Sequence, residues 1–461
     1  MTVRSARRDR DRFRAVALAA AVAMTAATGL LPAATPAARA ARTCAEPSAA
    51  QCPPRFSHVW TIVLENSGLY TTFGLGQVAS PYLARTLPGQ GAFLPNYYGI
   101  GHSSLDNYIA MTSGQAPNSE TQTDCTDPTE LGQGDPTYHI DGAGQAIGKV
   151  GCTYQKDVPN IASQLRRAHL SWKSYNETMD AHPGVTGTPG VQRTHCQGPD
   201  TYQGGAWFST PDPYADPRTA NQPDRDEYRA KHNPFVYYEN IAGDLDYCDA
   251  HDVPLGAFGA DPTHPDTYDT VGALRLDLRK EKTTPAYSFI TPNQCSDGHD
   301  DCTSGTPGSE DQAAKLAQMD AFLRKVVPMI TASPAYGDPA HPKGLIVITF
   351  DEGTDSTACC DEQPSPELAH EGNGGMNGRP FGPGGGIIGA VLLSPAIRPG
   401  TTSTAFYNHY SYLRTTEDVF GLPHIGYAAD SAYPPPSPTD SPGGTPKPFG
   451  PDVFAPTPTA G

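Results

Sequence analysis

The segment Gly99–Gly114 (GIGHSSLDNYIAMTSG) combines a histidine, two serines and an asparagine with a run typical of an α-helix. Because the run Leu105–Met111 is predicted to be a helix, Ser104 lies near its N-terminus, where free amide groups and the helix dipole stabilise an alkoxide and a bound phosphate. Ser104 is therefore a candidate nucleophile, with helix capping as its alternative role. Asn107 could donate a hydrogen bond to a phosphoryl oxygen, or hold a turn.

A second group of polar side chains stands where apolar, strand-like runs end. One acidic pair after a strand is common, because acids often cap the next helix. Here there are two such pairs, together with an acidic segment after a third run and a histidine before the last predicted helix. These residues form a ligand set suited to Zn²⁺, Mn²⁺, Ca²⁺ or Mg²⁺. Its members are Glu65, Asn66, Asp297, His299, Asp351, Glu352 and His409. A divalent ion would lower the pKa of the serine and neutralise an attacked phosphate.

Continuous apolar runs are the elements that must position these side chains. Such runs are typical of buried parallel strands, which place their chemistry at the carboxyl edge of the sheet. The runs are His58–Asn66, Tyr287–Asn293, Gly344–Glu352 and Ile388–Pro395. Helices are predicted at Asn160–Ala168, at Glu310–Ile330 with acids in its first turn, and at Tyr410–Phe420. The alternation predicts an α/β fold: a mostly parallel central sheet with helices on both faces and loop insertions.

The composition divides the chain into three parts. Residues 1–40 have an arginine-rich start, an alanine-rich apolar stretch and a small-x-small site, which predicts a cleaved signal peptide and a secreted, extracellular protein. A membrane anchor is the alternative, and twin-arginine export stays open. Residues 41–427 are predicted to form one large domain, with an irregular excursion at His182–Arg229. Residues 428–461, rich in Pro, Ser, Thr and Gly, are predicted to be an extended, mobile tail.

The charge balance bears on possible partners. The formal net charge is −17, and it becomes −22 without the seven Arg and two Asp of residues 1–40. This acidity argues against nucleic acid and anionic membrane surfaces as long-range partners. No stable membrane insertion is expected. A phosphorylated substrate would need local positive charge, for which bound metal is the obvious source.

All ten cysteines follow residue 40, and their even number predicts up to five disulfides in an oxidising compartment. Cys44 with Cys52, and Cys295 with Cys302, would close short loops. Cys359 and Cys360 could each form a disulfide with a different cysteine, or they could form a vicinal disulfide with each other. A thiolate zinc site is disfavoured, because C-x-x-C spacing is absent from the sequence.

Six segments occur in an order that resembles the secreted bacterial phosphoesterase family. They are LEN (Leu64–Asn66), HSSLDNY (His102–Tyr108), KHNPFVYY (Lys231–Tyr238), ITPNQCSDGHD (Ile290–Asp300), TFDEG (Thr349–Gly353) and HYSYLRTTEDVFGLPHIGYA (His409–Ala428). The family joins acid phosphatases with phospholipases C and belongs to the alkaline-phosphatase-like superfamily. The chain looks closest to the acid phosphatase branch, which includes enzymes acting on phosphatidylinositol 3-phosphate.

The resemblance implies roles for residues in the matched segments. Glu65, Asn66, Asp351 and Glu352 would hold metal around the nucleophile Ser104. A second metal site, or groups for phosphate binding and proton transfer, would come from Asp297, His299 and His409, and phosphate contacts from His102 and His232. The chain departs from the family at Ser103 and Asp106, where proline is frequent. The charge of Asp106 therefore bears on substrate preference.

The sequence leaves three alternative functions open. The resemblance implies a secreted, metal-dependent phosphomonoesterase acting on a phosphorylated small molecule or a phosphoinositide. A phospholipase C that cleaves phospholipid headgroup diesters is the alternative. A non-catalytic binding protein with the same fold is the second alternative. The metal is open between Ca²⁺, Mg²⁺, Mn²⁺ and Zn²⁺, because the oxygen ligands favour a harder cation and the histidines make room for zinc.

Overall fold

A computed structural model describes residues 52–125, 129–148, 151–179, 201–203, 206–208, 228–260, 262–263, 267–303, 311–360, 384–429 and 446–454. These residues belong to one compact unit, Ala41–Gly461. The predicted signal peptide, Cys44, most of the excursion at His182–Arg229 and most of the loop after Cys360 lie outside the described residues. No helix among the described residues is both long and apolar enough to cross a membrane.

Eight strands form the central sheet. They are β1 His58–Leu64, β2 Ala92–Leu94, β3 Trp172–Asn176, β4 Asp252–Pro254, β5 Tyr287–Thr291, β6 Gly344–Phe350, β7 Ala390–Leu393 and β8 Thr401–Thr402. Their order across the sheet is β8-β2-β7-β6-β1-β5-β3-β4. β1 pairs in parallel with β5 and β6, and β3 pairs in parallel with β5 and β4. The sheet is therefore mostly parallel, as predicted.

One strand differs from the sequence-based expectation. β7, which lies within the run Ile388–Pro395, is antiparallel to both β6 and β2. The carboxyl end of this run therefore lies at the sheet edge opposite to the carboxyl ends of β1, β5 and β6. The pattern failed here because a continuous apolar run reports burial on both faces of a sheet and does not report strand direction.

Helices alternate with the strands along the chain, and together with the mostly parallel sheet they confirm the predicted α/β fold class. They are α1 Leu87–Gln90, α2 Ser104–Ser113, α3 Ile161–Arg167, α4 Glu239–Ala242, α5 Leu245–His251, α6 Gly272–Asp277, α7 Gln312–Thr331 and α8 His409–Phe420. The three helices predicted after residue 150 are present within two residues of the expected bounds. Asn160 caps α3 as expected. Asp311 is the N-cap of α7, so the acids precede its first turn instead of lying within it.

Short elements complete the described fold. Five two-stranded pairs join Tyr97–Tyr98 to Tyr407–Asn408, His139–Ile140 to Ala146–Ile147, Thr201–Gln203 to Ala206–Phe208, Ala257–Phe258 to Tyr268–Asp269, and Gly337–Asp338 to His341–Pro342. Short helical turns are Tyr70–Gly74, Leu75–Gln77, Tyr82–Thr86, Thr121–Thr123, Ala230–His232, Pro234–Tyr237, Glu281–Thr283 and Gly426–Ala428.

Disulfides link several of the loops. Cys295 pairs with Cys302, as predicted, and Cys125 pairs with Cys152. Cys359 and Cys360 form a vicinal bridge, which resolves the two alternatives left by the sequence. Cys52 and Cys248 are disulfide-bonded as well, and no cysteine in the described part of the chain is free.

The described part of the predicted mobile tail near the end of the chain packs against the rest of the protein. Residues 446–454 pack into the main hydrophobic core, where Phe449 and Val453 are fully buried. The amide of Phe449 donates to the Thr415 hydroxyl of α8 (2.8 Å). A carboxylate oxygen of Asp452 accepts from the Tyr407 hydroxyl (2.7 Å). The composition suggested a spacer because Pro and Gly dominate it, but a few aromatic and aliphatic residues are enough to dock a segment.

We predict that this C-terminal segment contributes to stability. Phe449→Ala removes a ring whose centroid lies 5.0 Å from that of Tyr407 and leaves a cavity in the core. The free energy of unfolding should fall by about 3 to 5 kcal/mol in urea titrations. Phe258→Ala is the matched control, because this side chain is 65 % exposed; it should cost less than about 1 kcal/mol. Equal, small effects of both changes would show that the segment is not part of the core.

Candidate active site

Three carboxylates lie side by side where neighbouring parallel strands end. Glu65 follows β1, Asp351 follows β6, and Asp297 stands in the loop after β5. The backbone aligns them: the Glu65 amide donates to the Asp297 carbonyl (3.0 Å), and the Asp351 amide donates to the Leu64 carbonyl (2.9 Å). All three acids are fully buried. The structure thus brings together one acid from each of the three predicted strand ends.

Glu65 lies at the centre of this site. Its Oε2 accepts a hydrogen bond from the Ser104 hydroxyl (3.0 Å) and lies 3.4 Å from Nε2 of His232. Its Oε1 accepts a hydrogen bond from the Tyr108 hydroxyl. Ser104 and Tyr108 are four residues apart on α2, so their side chains lie on the same face of the helix. One carboxylate therefore links the candidate nucleophile to an imidazole and a phenol.

The position of Ser104 argues against a capping role. Ser103 is the N-cap of α2, and Ser104 is the first helical residue. The carboxylate of Asp124 accepts the hydrogen bond of the Leu105 amide (3.0 Å), so another residue satisfies the start of the helix. The Ser104 hydroxyl donates to Glu65 instead of accepting from a helix amide. Its geometry is that of a hydroxyl held beside an acid cluster.

The donor atoms around Glu65 fit a divalent metal ion. Ligand atoms of Glu65, His232 and Asp297 all lie within 4.8 Å of one another, and all three residues are buried. Four neighbouring buried polar atoms make no hydrogen bond: Asn66 Oδ1, His232 Nε2, Asp297 Oδ2 and Asp351 Oδ2. Buried polar atoms without a partner are rare, and a bound cation would satisfy these. The carboxylate, amide and imidazole donors suit Mn²⁺, Mg²⁺, Ca²⁺ or Zn²⁺.

Burial shapes the protonation of this site. It raises the pKa of Glu65 well above its ordinary range, and the nearby carboxylates of Asp351 and Asp297 raise this pKa further. It also raises the pKa of Asp297 well above the ordinary range and that of Asp351 to about 6. Burial lowers the pKa of His232, and the charge of Lys231 adds to this effect. A buried group of like charges disfavours ionised carboxylates unless a cation accompanies them.

His409 has a different position from the metal ligand that the sequence predicted. Its Nε2 lies 2.6 Å from the backbone carbonyl of Asp351, and its Nδ1 lies 3.1 Å from the Tyr97 hydroxyl. Both ring nitrogens are therefore used within the protein, and burial lowers the pKa of this histidine to about 4. His409 holds the backbone of Asp351 in place and offers no lone pair to a metal.

Other predicted site residues lie beside the group of Glu65, His232 and Asp297 without belonging to it; the His299 amide donates to Oδ1 of Asp297 (2.8 Å), and its ring centroid lies 6.1 Å from that of His232. Nδ1 of His299 lies 2.7 Å from a carboxylate oxygen of Asp300, outside the group formed with Glu65. His232, predicted to contact phosphate, lies within that group instead. Glu352 contacts the His102 ring, and Nε2 of His102 lies 3.0 Å from the Asp355 carbonyl. A residue that is adjacent in sequence to a candidate ligand therefore does not necessarily direct its side chain to the same side of the loop.

Asn107 holds a turn, which is one of the two roles considered for it. Its Oδ1 accepts from the amides of Ile100 (2.7 Å) and Gly101 (3.2 Å). Its Nδ2 donates to the carbonyls of Gly101 and Ser103, each at 3.0 Å. These bonds use both amide hydrogens, so this side chain fixes the loop before Ser104 and has none to offer a phosphate.

The sequence did not predict three residues that lie around the candidate nucleophile. Tyr108 binds Glu65 and stacks on His232, with ring centroids 5.4 Å apart. Nζ of Lys231 lies 3.0 Å from a carboxylate oxygen of Asp124. The four-residue spacing of Ser104 and Tyr108 could have identified the tyrosine, since it predicts a shared helix face. No sequence signal connects Asp124 to Lys231, because 107 residues separate them.

We predict an unusual pH dependence of stability for the metal-free protein. An unfolded aspartate titrates near pH 4, whereas the pKa of folded Asp351 is about 6. A raised pKa means that the protonated form stabilises the fold below about pH 4, and this contribution is lost as the pH rises through about 6. Asp351 alone should lower the free energy of unfolding by on the order of 3 kcal/mol across this window.

Urea titrations of chelator-treated protein between pH 4 and pH 7 measure this contribution. The informative quantity is the difference between the unchanged protein and Asp351→Asn, because histidines with lowered pKa values shift both profiles in the opposite direction. The asparagine variant should gain relative stability as the pH rises. Two parallel profiles would contradict a raised pKa of Asp351.

Comparison with known proteins bears on this site. The profile of the Phosphoesterase family matches residues 81–423, well over half of the chain. A probable acid phosphatase of Kluyveromyces lactis is 23 % identical over 372 residues, which cover 80 % of this chain and 60 % of that protein. The phosphatidylinositol-3-phosphatase of Mycobacterium tuberculosis is 23 % identical over 384 residues, which cover 83 % of each chain.

A solved structure adds a further similarity. An alkaline phosphatase superfamily protein from Vibrio parahaemolyticus has 13 % sequence identity and a TM-score of 0.42, with 84 % of this chain and 71 % of that chain covered. The extent of the family match over the described strands and helices shows that this chain belongs to the Phosphoesterase family.

Proposed function

We propose that the protein is a metal-dependent phosphomonoesterase that forms a phosphoserine intermediate at Ser104. The observation that carries this proposal is the Ser104 hydroxyl at the start of α2, 3.0 Å from Oε2 of Glu65 and beside a buried group of metal-type ligands. The phosphatase names of the relatives support the reaction class. A non-catalytic role would leave this buried, partly unpaired ligand group without a purpose.

In this proposal Ser104 is the group that attacks phosphorus. As its Oγ bonds to phosphorus and the ester bond to the alcohol breaks, the hydroxyl proton can pass to Oε2 of Glu65, the atom to which it already donates. Ser104 is the first residue of the ten-residue helix α2. The amide groups and dipole of that N-terminus would stabilise negative charge on the phosphoryl group.

A divalent ion would be held by Glu65, His232 and Asp297, and Asn66 and Asp351 each have a buried oxygen that makes no hydrogen bond and could add to the ligand set. When bound, such an ion supplies positive charge that activates the serine and the hydrolytic water and offsets the charge of the phosphate. Tyr108 holds Glu65 through Oε1, which leaves Oε2 directed at Ser104.

The substrate that we propose is a phosphomonoester, either of a small molecule or of a phosphoinositide. The phosphatidylinositol-3-phosphatase of M. tuberculosis supports the second class, since the match covers 83 % of both chains. The formal net charge of −17 disfavours nucleic acid as a partner. Signal-like residues 1–40 and the disulfides support a secreted, extracellular location, with a mature chain that begins near Ala41.

The nucleophile is tested by a pair of neighbouring serines. Ser104→Ala should lower kcat for p-nitrophenyl phosphate by about 10³-fold or more, because it removes the hydroxyl bonded to Oε2 of Glu65, and the Tyr108 hydroxyl is bonded to the other oxygen, Oε1. Ser103→Ala is the control: its hydroxyl is directed at the Gln122 carbonyl (3.4 Å), so activity should stay within about tenfold. Circular dichroism checks the fold of each. Near-normal release of phosphate by Ser104→Ala would disprove the assignment.

The metal requirement is tested by elemental analysis together with activity. We expect at least one divalent ion per chain in the purified protein and loss of phosphate release after exhaustive chelation, with recovery on re-addition of the ion. Asp351→Ala should lower kcat as well as metal occupancy, because one of its oxygens makes no hydrogen bond and its charge acts on Glu65 and Asp297. Full activity of chelated protein that contains no metal would exclude the metal-dependent mechanism.

A further inference from the structure

Asp124 joins two elements of the candidate active site through its two carboxylate oxygens. Oδ1 accepts the hydrogen bond of the Leu105 amide (3.0 Å), in the first turn of α2 and next to Ser104. Oδ2 accepts a hydrogen bond from Nζ of Lys231 (3.0 Å), the residue before His232. The side chains of Lys231 and Asp124 are both about nine-tenths buried. A single buried ion pair therefore connects the helix of the nucleophile to the turn that carries a metal-type ligand.

The backbone around Asp124 is built to hold this carboxylate. Asp124 has φ 54° and Cys125 has φ 67°, so two consecutive non-glycine residues occupy the left-handed region. This conformation is uncommon for such residues and persists where the surroundings impose it. The surroundings here are the preceding helical turn Thr121–Thr123 and the Cys125–Cys152 disulfide. Strain next to a reactive group is typical of functional positions.

Stability alone is a weak reason for such a pair. Removing two charges from water costs several kcal/mol per ion, so a buried ion pair is often no better than an apolar contact of the same size. The charge of Lys231 does have a second use, because the carboxylates of Glu65 and Asp351 are close enough to act on it. Lys231 thus places a positive charge at the edge of an acidic cluster, while its partner Asp124 holds the first turn of α2.

We propose that the Lys231–Asp124 ion pair is a positioning device that sets the direction of the Ser104 hydroxyl relative to the metal-ligand group. This inference rests on the proposed role of Ser104 as the nucleophile. Lys231 and Asp124 act through α2 and do not themselves touch the reacting atoms. Because in-line attack is sensitive to misplacement by about 1 Å, with costs of about 100-fold in rate, loosening the first turn of α2 should slow the chemical step.

The kinetic test compares Lys231→Met, Lys231→Arg and Asp124→Asn on p-nitrophenyl phosphate. Lys231→Met should lower kcat by about 10- to 100-fold and leave KM within about threefold, because orientation is lost and substrate contacts are kept. Lys231→Arg should recover most of kcat. The double variant Lys231→Met/Asp124→Asn should be no slower than the worse single variant, since both changes break the same link. Unchanged kcat in Lys231→Met and Asp124→Asn would overturn the proposal.

Lys173→Met is the matched control, because Lys173 forms an ion pair of similar length with Asp277 (2.6 Å). Lys173 lies at the start of β3, at the amino-terminal end of the parallel strands and away from the candidate active site. The Lys173→Met change should leave kcat within about twofold. An equal loss of kcat in Lys173→Met would show that breaking any such pair slows the enzyme, and would overturn the specific role. If Lys231→Met does not fold, Asp124→Asn and Lys231→Arg decide the kinetic outcome, because both keep a polar partner.

Hydrogen exchange gives a readout that does not depend on activity. The Leu105 amide is bonded to Asp124, so exchange in the peptide Ser104–Ser113 should be about tenfold faster at its first turn in Asp124→Asn and Lys231→Met, with no change in Lys173→Met. Unchanged exchange would overturn the positioning role even in an inactive protein. If Ser104→Ala is inactive and Lys231→Met is fully active, Ser104 remains the proposed nucleophile and the positioning role of the ion pair is rejected. Active Ser104→Ala would reject the proposed function itself.

Discussion

The burial of like charge is the constraint on which this structure depends. Glu65, Asp297 and Asp351 meet at one edge of the sheet without exposure to solvent. Several kcal/mol of solvation are lost for each such ion, and their mutual repulsion adds to this cost. Burial accordingly raises the pKa of each of the three carboxyls above its ordinary range. The arrangement is unfavourable without a cation, and a divalent ion at the ligand group would offset the repulsion.

Much of the polar structure around the cluster holds backbone in place. His409 binds the carbonyl of Asp351, Asn107 binds four backbone groups of the loop before Ser104, and Asp124 binds the Leu105 amide. Each of these residues has a reactive side chain, and each uses it to fix the position of a neighbour. Rigid support of this kind is what keeps catalytic groups within a fraction of an ångström of a productive geometry.

The stability that the site lacks comes from elsewhere in the fold. β1, β5 and β6 are buried along their whole length, and large aromatic residues such as Trp60 and Trp172 fill the space beside them. The C-terminal residues 446–454 add Phe449 and Val453 to the same core. An apolar framework of this size can carry a destabilising acidic site at its edge, which is the usual compromise between stability and activity.

The sequence by itself determined the fold class, the strand ends that carry acids, the helix that begins beside Ser104 and the family. These follow from local patterns: apolar periodicity, cap residues and the order of short motifs. Only the tertiary structure decided that β7 is antiparallel and that residues 446–454 dock on the core. It also decided that His232 belongs to the ligand group, that His409 holds the backbone of Asp351, and that Lys231 reaches Asp124. Strand direction, side-chain orientation and contacts across 107 residues are set by packing between distant segments, and a local pattern carries no information about such contacts.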